Sequence, residues 1–209
     1  EYNVGLDLGF FGNRLYANID LYNKVTSDML WEYSVPVPPN LYGYTTANVG
    51  SMSNQGIEVL IGGSPIQTKN FEWNSTLTLA HNRNKLLNMS NDLYETENYL
   101  DGGWTEEPTS MVTQRTYIGD AIGSFYMLKS VGVVESGPQK GLWLIEDPET
   151  GEAVPFESGM RNYDSRFRQY CGSALPKLTM GWSNTLRFYG VDVTMSFSGQ
   201  FGYKIFNCQ

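Results

Sequence analysis

"LPKLTMGWSNTLRFYGVDVTMSFSGQFG", Leu175–Gly202, holds two runs of alternating side chains around a short Tyr-Gly turn. In the first run Leu178, Met180, Trp182, Leu186 and Phe188 share one side, with Asn184 interrupting, while Thr179, Gly181, Ser183, Thr185 and Arg187 share the other. In the second, Val191, Val193, Met195, Phe197 and Phe201 oppose Asp192, Thr194, Ser196, Ser198 and Gln200. A period of two is that of a pleated strand. What decides the fold is whether the apolar side meets a protein core or lipid.

The same pattern recurs outward from this hairpin. Val4, Leu6, Leu8 and Phe10 alternate with Gly5, Asp7 and Gly9, and after "FGN" come Leu15, Ala17, Ile19 and Leu21 against Tyr16, Asn18, Asp20 and Tyr22. This reads as a hairpin with a tight Gly-Asn turn. A second hairpin is expected around "GGSPIQTKN", with Ile57, Val59 and Ile61 on one face before it and Trp73, Ser75, Leu77 and Leu79 on one face after it. Six strands are thus expected, over residues 4–10, 14–24, 53–62, 71–82, 175–188 and 191–202. Long loops are expected over 25–48, which holds "SVPVPPNLYGYTT", and over 83–174, where "IGDAIGSFYMLKSVGVV" reads as partly extended. Helix signals are nearly absent, and "AHNRNKLLNMSNDLY" supports one short turn at most.

If the strands run antiparallel in order, the short connections fall at one end and the long ones at the other. Outer-membrane barrels are built in this way. The expected strands also match the 9–11 residues that cross a bilayer, which is longer than the usual globular strand. Alternation alone favours a soluble carbohydrate-binding or structural β-sandwich, which has one buried and one wet face per strand. The one-sided loop lengths argue for lipid.

Composition narrows the function classes. Among 209 residues, 14 basic against 22 acidic give a net charge of -8, which disfavours nucleic acid as a partner. No stretch approaches the 18 apolar residues of a membrane helix, so any span must be made of strands. Cys171 and Cys208 have neither metal-site nor redox-motif spacing and read as free thiols. The single histidine, His81, is expected at a strand end without a second ligand for a metal. Glu106 and Glu107 are adjacent in a polar loop and read as solvated rather than as a catalytic acid and base. Nucleophile-elbow, phosphate-loop and dinucleotide motifs are missing, so neither an enzyme nor a cofactor is expected. The chain opens and closes in strand-like sequence, "EYNVGLDLGFFG" and "FGYKIFNCQ", and is expected to be part of a longer protein.

A resemblance decides between sandwich and barrel. "RLYANIDLYNKVTSDML" (Arg14–Leu30), "NVGSMSNQGIEVLIGG" (Asn48–Gly63) and "FEWNSTLTLAHNRNKLLNM" (Phe71–Met89) resemble the SusC/RagA-like family of TonB-linked outer-membrane transporters of Bacteroidetes. Ile118–Val134 and Gly172–Asn207 are similar to later segments of that family, in the same order. The resemblance implies an all-β, antiparallel piece from the C-terminal part of a 22-stranded barrel, with the plug and the TonB-contacting segment elsewhere. It also implies import of glycan fragments or peptides under a SusD-like surface lipoprotein, driven through TonB, with outer-membrane lipid around the wall. One departure is plain. Family members often carry a "DxNGDGxID"-like acidic stretch before the "LPK" strand that could hold Ca²⁺. Here Asp147, Glu149 and Glu152 are interrupted by Pro148 and Pro155, and no metal is expected.

Within that frame the aromatic residues of the loops are the candidate functional groups. Tyr42, Tyr44, Tyr94, Tyr99 and Trp104 are candidates for substrate contact, because a flat ring packs on a sugar face or a peptide side chain while its polar edge keeps a hydrogen bond. Trp31 and Tyr33, just beyond a strand, are candidates for the aromatic girdle at the membrane interface. Leu15, Ile19, Ile57, Val59, Leu77, Leu79, Val193, Met195 and Phe197 are expected to face lipid, and Asp20, Asn74, Thr78, Asp192 and Ser196 to face inward.

Overall fold

The structure, a computed structural model, describes residues 1–90, 99–106, 111–157 and 166–207. Its dominant element is a six-stranded antiparallel sheet in the order β1-β2-β3-β4-β12-β13. The strands are β1 (Tyr2–Phe10), β2 (Leu15–Ser34), β3 (Tyr44–Gln67), β4 (Phe71–Asn88), β12 (Leu178–Phe188) and β13 (Val191–Phe201). Every neighbour in this sheet is also next in sequence, except that β4 passes to β12 through the long connection. That connection carries two small sheets. One pairs β5 (Tyr99–Trp104), β6 (Val112–Tyr117), β7 (Ser124–Leu128) and β11 (Arg168–Ser173), and the other pairs β8 (Ser130–Val133), β9 (Trp143–Glu146) and β10 (Ala153–Pro155). No helix occurs among the described residues.

The short turns lie at one end of the sheet. Phe11, Gly12 and Asn13 all take positive φ between β1 and β2, and Tyr189 and Gly190 both do so between β12 and β13. Two successive positive φ values form the turn whose twist suits a two-residue hairpin. At the opposite end β2, β3 and β4 are taller than expected, at 20, 24 and 18 residues. The expected loop 25–48 therefore shrinks to residues 35–43, and His81 lies within β4 rather than at a strand end. The period-two reading broke here because β2 and β3 shift register between Thr26 and Met29 and again between Met29 and Leu30, which interrupts the alternation along both strands.

Register sorts the side chains of the sheet onto two faces. Residues directly opposite in an antiparallel ladder point to the same side. One row is Leu8, Ala17, Ile61, Leu77, Trp182 and Phe197, and the next is Leu6, Ile19, Val59, Leu79 and Met180. On the other side run Asp7, Asn18, Leu60, Thr78, Gly181 and Ser198, then Gly5, Asp20, Glu58, Ala80, Thr179 and Gln200. All nine residues expected on the apolar face share it, and the five expected opposite share the polar one.

Among the described residues, no protein layer covers the apolar face. Val4, Leu6, Ile61, Trp182, Val193 and Phe197 are all exposed. The buried apolar side chains, Tyr33, Leu86, Met89, Val112, Phe125, Ile145 and Phe167, belong to the upper ends of β2 and β4 and to the long connection. A sandwich would bury its strands' apolar rows against a second sheet, so the soluble-sandwich alternative is incompatible with this arrangement.

The polar interruption at Asn184 has a structural reason. Asn184 and Ser75 are directly opposite on the apolar face. Trp73 Nε1 of β4 donates to Asn184 Oδ1 of β12 at 3.0 Å, while Trp182 Nε1 of β12 donates to Ser75 Oγ of β4 at 3.0 Å. Each indole crosses to the neighbouring strand and covers a polar atom, and Asn184 ends with only 4% of its surface exposed. Two polar side chains are thereby tolerated on an apolar face because their partners lie within the sheet.

Candidate functional site

The polar face is shaped by glycine and tyrosine. Tyr16 lies opposite Gly62 and Tyr22 opposite Gly56. A Cβ at Gly62 would stand 2.5 Å from the Tyr16 ring, and one at Gly56 would stand 2.5 Å from the Tyr22 hydroxyl. Both rings therefore lie flat across glycine, and Tyr22 donates on to Asn82 Oδ1 at 3.1 Å. Asn18 donates to Asp7, and Ser64 bonds Asn74. Near the short turns Arg187 pairs with Asp192 at 2.9 Å and with Glu72 at 3.5 Å. This is a wet, hydrogen-bonded surface suited to lining an aqueous lumen.

At the opposite end the candidate aromatics fall into separate groups. Tyr42 and Tyr44 sit at the tip of the β2–β3 hairpin with ring centroids 6.3 Å apart, and they are exposed together with Val37 and Leu41. Tyr99 opens β5, and Trp104 closes it with its ring largely exposed. Tyr94 lies outside the described residues. Trp31 is at the margin of exposure, opposite Ala47. Tyr33 is 2% exposed and donates its hydroxyl to the Met89 carbonyl at 2.7 Å. Its hydroxyl thereby ties β2 to the residue that follows β4.

Tyr99 belongs to a larger cluster that the sequence reading missed. Its ring meets Tyr117 at 5.7 Å, and Tyr117 meets Tyr126 at 5.9 Å. The Arg115 guanidinium lies 3.7 Å from the Tyr99 ring centre and forks onto both Asp101 oxygens at 2.7 and 2.8 Å. The Asp101 carboxylate thereby holds Arg115 charged more firmly than an isolated arginine, and burial pushes the Tyr126 hydroxyl up. Arg168 donates to the Tyr126 and Val112 carbonyls and stacks towards the Tyr126 ring. Tyr170, directly opposite Tyr126 on β11, is exposed. The result is a rigid face of tyrosines and guanidinium groups. A signal for it existed in the alternating Thr113, Arg115 and Tyr117, read earlier as loop.

The acidic stretch forms a tight hairpin turn. Asp147 accepts the Glu149 amide at 2.9 Å and pairs with Arg166 at 2.9 Å. That amide, with Arg166 beside it, holds the Asp147 carboxyl below the usual carboxylate range. The oxygens are thus already occupied, and the described residues hold no group of three potential metal ligands. Burial pushes the Cys171 thiol up, and Cys208 lies outside the described residues.

The family model "TonB dependent receptor-like, beta-barrel" matches residues 1–138, and the chain belongs to that family. TonB-dependent receptor P26 of Formosa agariphila is 28% identical over 98% of this chain and 20% of its own length. TonB-dependent receptor SusC of Bacteroides thetaiotaomicron is 31% identical over 62% of this chain and 13% of its own length. Among solved structures the RagAB peptide transporter superposes with a TM-score of 0.72 at 25% identity, covering 96% of this chain and 20% of that one. The chain therefore spans about a fifth of the length of such relatives. The SusC/RagA-like resemblance and the all-β antiparallel fold are both borne out.

Proposed function

We propose that residues 1–209 form part of the wall of a TonB-dependent outer-membrane importer, in the C-terminal part of a 22-stranded barrel. The single observation that carries this reading is the apolar face, continuous over six strands and exposed among the described residues, while their core lies elsewhere. Six strands cannot close such a barrel, so the remaining strands and the plug belong to other parts of the protein. The apolar face meets outer-membrane lipid, the polar face looks into the lumen, and the long connection stands at the extracellular rim. The cargo is a glycan fragment or a peptide: likeness to the RagAB peptide transporter favours peptides, and likeness to SusC favours glycans. A SusD-like lipoprotein closes over the rim, and TonB supplies energy through the plug. The chain contributes binding and passage rather than bond-making chemistry.

Tyr99, Trp104, Tyr42 and Tyr44 offer cargo-contacting rings at the rim, and Tyr94 is retained as a candidate by its position in the sequence. The test is uptake of labelled oligosaccharides and oligopeptides by cells carrying the full-length protein, with and without TonB. Uptake of one class that is lost without TonB, and reduced by Tyr99→Ala at unchanged surface level, is the expected result. Uptake of neither class, or uptake indifferent to TonB, would overturn the proposal.

A further inference from the structure

The apolar face ends in cations towards the long connection. Along β4 the positions on this face are Leu77, Leu79, His81, Arg83 and Lys85, at every second residue. Their pairing with Ile61, Val59, Ile57, Gln55 and Ser53 of β3 keeps them on the same side. Leu79 and Ile57 close the apolar rows, and at the next level Asn23, Gln55 and Arg83 stand side by side. Both Arg83 and Lys85 are exposed. The ion pairs of the described residues use Arg115, Lys129, Arg166 and Arg187 instead, so neither cation has a carboxylate partner there. His81 is otherwise engaged, since its Nδ1 meets the Lys177 carbonyl.

A groove lies just beneath these cations on the same side. Tyr2, Val4, Leu21 and Ile57 line it, and Arg83 stands at one end. A lipid with an acyl chain in this groove would bring its headgroup to the cations. Arginine at the border of an apolar surface lays its stem on that surface and offers a fork of donors matched to phosphate oxygens.

We propose that Arg83 and Lys85 form a headgroup site for a phosphate-bearing membrane lipid, whose acyl chain lies in the groove across the strands, on the row of Ile57, Leu21 and Val4. The site rests on the reading of that face as lipid-facing. It fixes the height of the wall in the bilayer, because the two cations follow the phosphate plane while Leu77 and Leu79 stay in hydrocarbon.

The test uses the detergent-purified full-length protein, with phosphatidic acid and phosphatidylcholine of identical chains as probes and retention in native mass spectrometry as the readout. With each cation worth about fivefold towards an anionic headgroup, the combined Arg83→Gln and Lys85→Gln variant should lower phosphatidic acid retention by about 10- to 25-fold. The charge-preserving Arg83→Lys with Lys85→Arg should retain it, as should Lys69→Gln at the short-turn end. Heat-modifiable gel mobility verifies that each variant is folded. Should the glutamine variant not fold, the charge-preserving pair against wild type, with added salt reducing retention in both, decides the same question. A folded glutamine variant with undiminished preference, or an equal loss in Lys69→Gln, would overturn the site. Failure of the underlying reading is distinguishable: the fluorescence contributed by Trp182, obtained by difference from Trp182→Phe, would then resist quenching by phosphatidylcholine with brominated chains.

Discussion

Leu77 stands between Ile61 and Trp182 in a row that runs unbroken across the sheet. Placing a guanidinium there moves a charge into hydrocarbon, so Leu77→Arg should lower the stability of the inserted full-length protein by about 2–4 kcal/mol. Denaturant titration in phosphatidylcholine vesicles measures this, and the same change at Thr78, on the polar face, should cost far less. Asn184→Ala tests the cross-strand indole pairing, because it strands the Trp73 N–H beside apolar neighbours. A loss of about 1–3 kcal/mol is expected in the same assay, and Trp73→Phe should largely cancel it by removing the donor. Much of this was legible in the sequence. Alternation gave the faces at once, since period two is local information. The partner of Asn184 was hidden, because Trp73 is 111 positions away and only the register brings it near. The setting of Tyr33 was hidden for a related reason: its hydroxyl bonds the Met89 carbonyl, 56 positions away, a contact no local pattern announces.

Among the elements, the lower halves of the strands were readable and the upper halves were not. Below the bulge at Thr26 and Met29, apolar and polar residues alternate as lipid and lumen require; above it Met29, Leu30 and Trp31 follow one another without that alternation. The long connection was read as loop with some extended structure, whereas it builds two small sheets with buried residues of their own, among them Phe125, Ile145 and Phe167. Short strands of three to six residues separated by glycines leave little periodicity to detect. Its turn caps the free upper edge of β4: Gly119 donates to the Leu86 carbonyl at 2.8 Å, and Leu86 donates to Asp120 at 2.9 Å. Replacing residues 90–176 with a flexible linker of about ten residues, long enough to bridge the height between the top of β4 and the start of β12, should leave the six-stranded wall assembled, since loop length costs little by closure entropy. Heat-modifiable mobility of the full-length protein should persist while cargo uptake and lid association fall. Normal uptake by this variant would remove the connection from the functional site.

For the whole molecule the consequence is an open sheet with two free edges. β1 and β13 each pair on one side only, and a broad apolar face lies between them. Unpaired strand edges beside exposed apolar surface recruit other chains. Residues 1–209 expressed alone should thus aggregate in plain buffer or need detergent, and a sharp monomer peak in size-exclusion chromatography would contradict the wall reading. The barrel class was visible from one-sided loop lengths and ordered motifs, whereas cargo was not, because the chain covers a fifth of its relatives' length. The central claim is that one face of this sheet meets lipid and the other meets water. Spin labels attached one at a time along β4 from Trp73 to His81, in the full-length protein reconstituted in vesicles, test it most directly. Collision with oxygen, which concentrates in hydrocarbon, should peak at positions 75, 77 and 79, and collision with a water-soluble nickel chelate should peak at 74, 76 and 78. A flat profile, or one with the two sets exchanged, would contradict the account.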